Sequence, residues 1–272
     1  MMKPNTFEHS QLMQAHWCWR KLIICNVIAL LLMASWLWHP TRQLWDTFDG
    51  WLFHFLNAPL ADHRTWATIW AIGNMRPIDA AVGLVMLAAI IKSGFIFNGS
   101  QVRHALYGFL ALLLLMLCLR IALFDQILKL LQWKRASPSL VVDGAVRLTA
   151  LFPSWEQKWA LKDSSEQCFP GDHASVLFIW TAMLLYFARG KAFSFVWLLT
   201  ISYLLPRLIA GAHWGSDVFV GGAFLSLMAF GWGFYTPYVS KMQNLLERLT
   251  APIIKLLAKL PLLNNLSLIS GR

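Results

Sequence analysis

Arg207, His213 and Asp217 stand in the order Arg-x5-His-x3-Asp, a spacing that puts an imidazole, a carboxylate and a guanidinium within reach of one another. His213 and Asp217 are four residues apart, so on a helix they share a face. A carboxylate there holds the imidazole in one tautomer and stabilises its cationic form, which makes His213 a candidate nucleophile. The guanidinium fork of Arg207 matches phosphate oxygens in pairs. A second imidazole, His173, ends the run Phe169-Pro170-Gly171-Asp172-His173 and would donate a proton to a leaving oxygen. A helix starting at that run would turn free N–H groups, that of Gly171 included, toward a phosphate, with Asp172 as its N-cap. A third run, Lys134-Arg135-Ala136-Ser137-Pro138, with Lys129 upstream, adds cations. Singly, each group has an ordinary reading as an interfacial anchor, a capped surface histidine or a snorkelling arginine. Together they make a cationic pocket for a phosphate or diphosphate headgroup.

The elements that must position these residues are apolar. Of 272 residues, 58% are apolar and 13% charged, well below the charge content of soluble domains. Apolar runs long enough to cross a bilayer recur at about 22–38, 78–91, 105–131, 174–188, 193–205 and 218–235. The fold class expected is therefore an all-α integral membrane protein of about six transmembrane helices with interfacial helices. The net charge of +10 comes from basic residues set between apolar runs, which signals membrane orientation and argues against a nucleic-acid partner. Basic flanks at Arg20-Lys21, Lys92/Arg103 and Arg189/Lys191 put the N-terminus, two short loops and the tail in the cytoplasm. The three chemical runs then share the opposite face. Within 44–60, Trp45, Phe48, Trp51, Leu52, Phe55 and Leu56 recur at helical spacing, as in an interfacial helix or an ordinary packed one. A short apolar piece at 66–72, broken at Gly73-Asn74-Met75-Arg76-Pro77, is expected to dip into the membrane. The partition expected is a cytoplasmic tail over 1–20, a membrane phosphotransferase domain over 21–237, and a basic amphipathic tail over 238–272 lying on the anionic inner leaflet. The 15 tryptophans read as interfacial belts. Cys18, Cys25, Cys118 and Cys168 form no disulfide pattern, and Cys168 reads as a free thiol.

The three runs resemble the signature of the type 2 phosphatidic acid phosphatase (PAP2) superfamily: Lys-x6-Arg-Pro, Pro-Ser-Gly-His and Ser-Arg-x5-His-x3-Asp. The third motif matches at Arg207, His213 and Asp217, with Pro206 in place of the serine. In the first, Arg135 is followed by Ala136-Ser137-Pro138, and Lys129 and Lys134 both remain candidates for the lysine. In the second, Gly171 and Asp172 replace serine and glycine. Lys-Arg-Ala-Ser-Pro, Phe-Pro-Gly-Asp-His and Pro-Arg-x3-Gly-Ala-His-Trp-x2-Asp, together with Asn74-x-Arg76-x2-Asp79 and Lys162-Asp163-x-Ser165, are similar to the lipid A 1-diphosphate synthases of Gram-negative bacteria.

What that resemblance implies is a helical bundle in the inner membrane with a periplasmic site and no metal or other cofactor. Undecaprenyl diphosphate would be the donor and the 1-phosphate of lipid A the acceptor, through a phosphohistidine on His213. Arg135, Arg207 and a lysine would neutralise the equatorial oxygens. Asn74, Arg76, Asp79 and Lys162 are candidates for headgroup contact, the alternative for the first three being to hold the broken segment in place. Two rivals are a plain lipid phosphate phosphatase and an anionic-lipid transporter. The transporter predicts charges spread through the membrane depth, where only Arg120, with Asp125 beside it, departs from the single face.

Overall fold

The structure is a computed structural model, and it describes residues 16–130, 132–261, 263 and 266–270. The expected N-terminal tail therefore lies outside the described residues up to position 15. Helices α1 (Trp19–Leu37), α2 (His39–Asn57), α3 (Pro59–Asp62), α4 (Arg64–Gly73) and α5 (Arg76–Ile91) come first. Helix α6 (Gly99–Cys118) runs through a π-helical turn, Leu119–Phe124, into α7 (Asp125–Leu130). Short helices α8 (Pro138–Val141), α9 (Leu148–Leu151) and α10 (Pro153–Trp159) build the long loop before α11 (Asp172–Phe187) and α12 (Lys191–Ile209). A second π-helical turn, Asp217–Gly222, leads into α13 (Ala223–Phe234), followed by α14 (Tyr238–Leu257) and α15 (Ser267–Ser270). No strand occurs among the described residues.

Four segments are long and apolar enough to cross a bilayer: Trp19–Leu37, Gly99–Leu130, Lys191–Ile209 and Asp217–Phe234. The bent pair α4–α5, broken by 61°, makes a fifth if it crosses as one unit, and α11 is a shorter apolar helix. The six expected apolar runs all form helices. Helix α12 reaches beyond the expected end at 205 because Pro206 is carried inside it. Asn74 stabilises that stretch, its Nδ2 donating to the Pro206 carbonyl at 2.8 Å.

Helix α13 is the hub, with α1, α6 and α11 packed on it. Small residues permit this: a Cβ on Gly231 would meet Cys25 Cβ at 2.9 Å, and one on Gly222 would meet Ala174 Cβ at 2.9 Å. Polar side chains stitch the bundle where water is absent. Trp180 Nε1 of α11 donates to the Met86 carbonyl of α5 at 3.0 Å, and Ser226 Oγ of α13 donates to the Ser175 carbonyl of α11 at 2.9 Å. Helix α2 is built inside out: Asp49 and Asn57 are buried, whereas Leu44, Trp51 and Phe55 are exposed. In water that pattern is unfavourable; against lipid it places the apolar stripe outward and the polar one on the protein. Of the stripe expected within 44–60, Trp51 and Phe55 are exposed and Trp45, Phe48, Leu52 and Leu56 are half-buried. Helix α14 likewise exposes Leu245, Leu249, Ile253 and Leu256.

Candidate active site

The site is held where the starts of α11 and α13 meet. The Gly171 N–H donates to the Asp217 carbonyl at 3.0 Å, and a Cβ on Gly171 would sit 3.0 Å from that same oxygen. Gly171 is thus required for close backbone approach, and its N–H is engaged within the protein instead of facing a phosphate. Asp172 is the first residue of α11, and the N-cap is Gly171. The expected Asp172 cap is therefore corrected: its carboxylate turns outward to Arg120 Nε at 2.7 Å.

His213 does not share a helix face with Asp217, because it sits in the turn after α12. The pair meets instead because the Asp217 carboxylate reaches back over the turn, accepting the Trp214 N–H at 2.7 Å. His213 Nδ1 lies 3.5 Å from Asp217 Oδ2 and 2.8 Å from the Cys168 carbonyl oxygen. A carbonyl only accepts, so Nδ1 carries the proton and Nε2 of the neutral ring keeps its lone pair. Cys168 thus sets the tautomer, while Asp217 supplies negative charge beside the ring. The Cys168 thiol donates to the Arg135 carbonyl at 3.1 Å, and burial, reinforced by Asp217, pushes its pKa up.

Arg135 lies behind this pair. Its guanidinium bonds to Asp217, donates to Asp49 Oδ2 at 2.7 Å and to Ser216 Oγ at 2.9 Å, and lies 5.4 Å and 5.3 Å from the rings of Trp36 and Trp214. Burial opposes its charge, but the Asp217 and Asp49 carboxylates outweigh that and raise its pKa. Sequence reasoning assigned Arg135 to phosphate and passed over Asp49, which is 1% exposed. The signal was available: one acid in a stripe of tryptophan and phenylalanine is out of place unless it faces a cation.

Arg207 occupies the other side. It is buried, and it donates to Asp79 Oδ2 at 2.6 Å, Asn74 Oδ1 at 3.3 Å and the Lys162 carbonyl at 3.2 Å. His173 Nε2 lies 3.9 Å from the same Asp79 oxygen, within electrostatic range of His213 and Arg207. Asp79, Asp172, His173 and Arg207 help line a cavity of about 520 Å³, most of whose other lining residues are apolar and include Ile72, Ile78, Val82, Met86, Val176 and Tyr203. Such a cavity suits a headgroup anion attached to a long apolar chain. Asn74 and Asp79 thus bond to Arg207 through their side chains, and Lys162 through its backbone carbonyl. Arg76 is exposed and makes no hydrogen bond or ion pair among the described residues. Lys129 and Lys134 line a recess with Asp125 and Glu166, Lys134 also lines one with Asp49, Arg135 and Trp214, and neither lysine is among the residues lining the His173–Arg207 cavity. Arg120, in the π-helical turn that follows α6, is paired with both Asp125 and Asp172, which neutralises the acid that departs from the second motif.

Residues 109–242 match the PAP2 superfamily. This stretch carries a PAP2 domain. It contains Arg135, His173, Arg207, His213 and Asp217, whereas Asp49 of α2, Asn74 of the α4–α5 break and Asp79 of α5 come before it. Over 232 residues the chain is 26% identical to lipid A 1-diphosphate synthase of Escherichia coli (strain K12), an alignment covering 84% of this chain and 92% of that protein. No solved structure matches. The chain thus carries a PAP2 domain, of the phosphatase or phosphotransferase class, within a helical bundle that has apolar membrane-span candidates.

Proposed function

We propose that this PAP2 enzyme transfers the distal phosphate of undecaprenyl diphosphate to the 1-phosphate of lipid A, at the periplasmic face of the inner membrane. His213 Nε2 attacks the distal phosphorus, and the bond from phosphorus to the bridging oxygen breaks. His173, whose pKa burial and the Arg207 charge push down to about 4, passes a proton taken from solvent to that oxygen, and undecaprenyl phosphate leaves. The lipid A 1-phosphate then attacks the phosphohistidine, restoring His213 and giving lipid A 1-diphosphate. Arg207 neutralises the phosphoryl oxygens from the mouth of the apolar cavity. The observation that carries the reading is the His213 ring itself: Nδ1 engaged by the Cys168 carbonyl, Asp217 beside it and Nε2 left with its lone pair. Similarity to the lipid A 1-diphosphate synthase supports the choice of donor and acceptor.

Purified protein supplied with labelled donor, with and without lipid A, tests this. Label is expected on lipid A, with little free phosphate, and none should move in His213→Ala. Equal release of free phosphate in both cases would make the enzyme a hydrolase. Transfer retained by His213→Ala would remove the nucleophile.

A further inference from the structure

The buried acid of α2 has no role in the reaction just described, and its surroundings show what it does. Asp49 Oδ1 accepts the Ser216 N–H at 2.7 Å, and Oδ2 accepts the Ser216 hydroxyl at 2.5 Å and Arg135 Nη2 at 2.7 Å. Leu44, Trp51 and Phe55 of the same helix are exposed, whereas Phe48 and Leu52 close over Gly215, where a Cβ would lie 2.7 Å and 2.8 Å from them. A helix outside the PAP2 stretch thus inserts one carboxylate beneath the residue next to Asp217. Burial raises the Asp49 pKa, opposed by the Ser216 hydrogen bonds and the Arg135 charge.

Count the charges. With Arg135 cationic, Asp49 and Asp217 ionised and His213 neutral, the four-residue cluster carries −1. When His213 Nε2 bonds to phosphorus while Nδ1 keeps its proton, the ring gains one positive charge and the cluster becomes neutral. Without Asp49, the same step would take the cluster from neutral to +1 in a buried place, where charge is costly. Arg135 alone would also hold Asp217 one to one, drawing it away from the imidazole.

We infer that Asp49 is a positioning residue for phosphoryl transfer, sharing Arg135 with Asp217 so that Asp217 keeps its negative charge for the His213 ring as the covalent intermediate forms. Asp49 is buried and is not among the residues that line the His173–Arg207 cavity, so its effect should fall on the chemical step and not on donor binding. A unit charge one guanidinium away, at an effective dielectric of about 20, is worth roughly tenfold to a hundredfold in rate. This inference rests on the proposed nucleophile.

The test is single-turnover labelling of His213 by radiolabelled undecaprenyl diphosphate in full-length wild-type, Asp49→Asn and Asp49→Glu proteins. Donor concentration is varied to separate rate from affinity, and each protein's thermal unfolding is recorded. Asp49→Asn is expected to label roughly tenfold to a hundredfold more slowly, with the half-saturating donor concentration unchanged. Asp49→Glu, which keeps the charge, should regain most of the rate. Wild-type rate in Asp49→Asn overturns the inference and leaves His213 as nucleophile. A Glu variant that is folded and as slow as the Asn variant also overturns it, because shape and not charge would then matter. Turnover by wild type with no label on His213 would overturn the proposed function and this inference with it.

Discussion

Replacing Arg135 with alanine tests the buried charge arrangement most severely. The side chains of Asp217 and Asp49 are 0% and 2% exposed, and both lose their cation in this variant. Deleting one partner of a buried ion pair costs about 3–5 kcal/mol. Both carboxylates keep other donors, namely the Trp214 N–H for Asp217 and the Ser216 N–H and hydroxyl for Asp49, so the lower end applies. At roughly 2–4 °C per kcal/mol for a domain of about this size, Arg135→Ala should unfold on the order of 10 °C lower than wild type. Tryptophan fluorescence of purified protein heated in one detergent follows this directly. A second substitution sharpens the test: adding Asp49→Asn to Arg135→Ala removes one of the orphaned charges, so the double variant should recover about 1–2 kcal/mol relative to additivity. Unfolding of Arg135→Ala within about 1 °C of wild type, or strict additivity in the double variant, would refute the charge bracket.

Three further outcomes follow from packing and protonation. Gly211 has a φ of +72°, and an added Cβ would lie 2.6 Å from Phe53 Cε2 and 3.1 Å from Ser139 Cβ; Gly211→Ala should therefore destabilise by about 2–4 kcal/mol in the same melting assay. Gly83 lines the large cavity with no atom within 4 Å of an added Cβ, so Gly83→Leu should fill the cavity and lower kcat/KM for a long-chain donor by roughly tenfold, leaving the melting temperature unchanged. Cys168 is buried and its thiol is held protonated, so at pH 8 it should resist alkylation until a denaturing detergent such as dodecyl sulfate unfolds the chain, as peptide mass mapping would show.

The helical membrane bundle was legible because apolar runs and basic flanks are local signals that lipid reads one residue at a time. The Arg207–His213–Asp217 spacing was legible too, although a turn and not a helix face brings the last two together. What escaped reading depends on backbone or on distance along the chain. The Cys168 carbonyl that fixes the His213 tautomer carries no residue signature, since every residue has a carbonyl. Asp49 meets Arg135 across 86 positions and Ser216 across 167, so no window of sequence contains the pair. The Arg120–Asp172 contact similarly joins two oddities 52 residues apart, each unexplained until the fold brought them together. Asn74 and Asp79 meet Arg207 across 133 and 128 positions, so no window of sequence contains those pairs either.

The central claim is that His213 carries the phosphoryl group, and the direct measurement is the chemical identity of labelled enzyme quenched during turnover. Peptide mapping should find one acid-labile, alkali-stable phosphoryl group, on His213, which lipid A then discharges. Label on His173, or a turning-over enzyme bearing no phosphohistidine, would contradict the account.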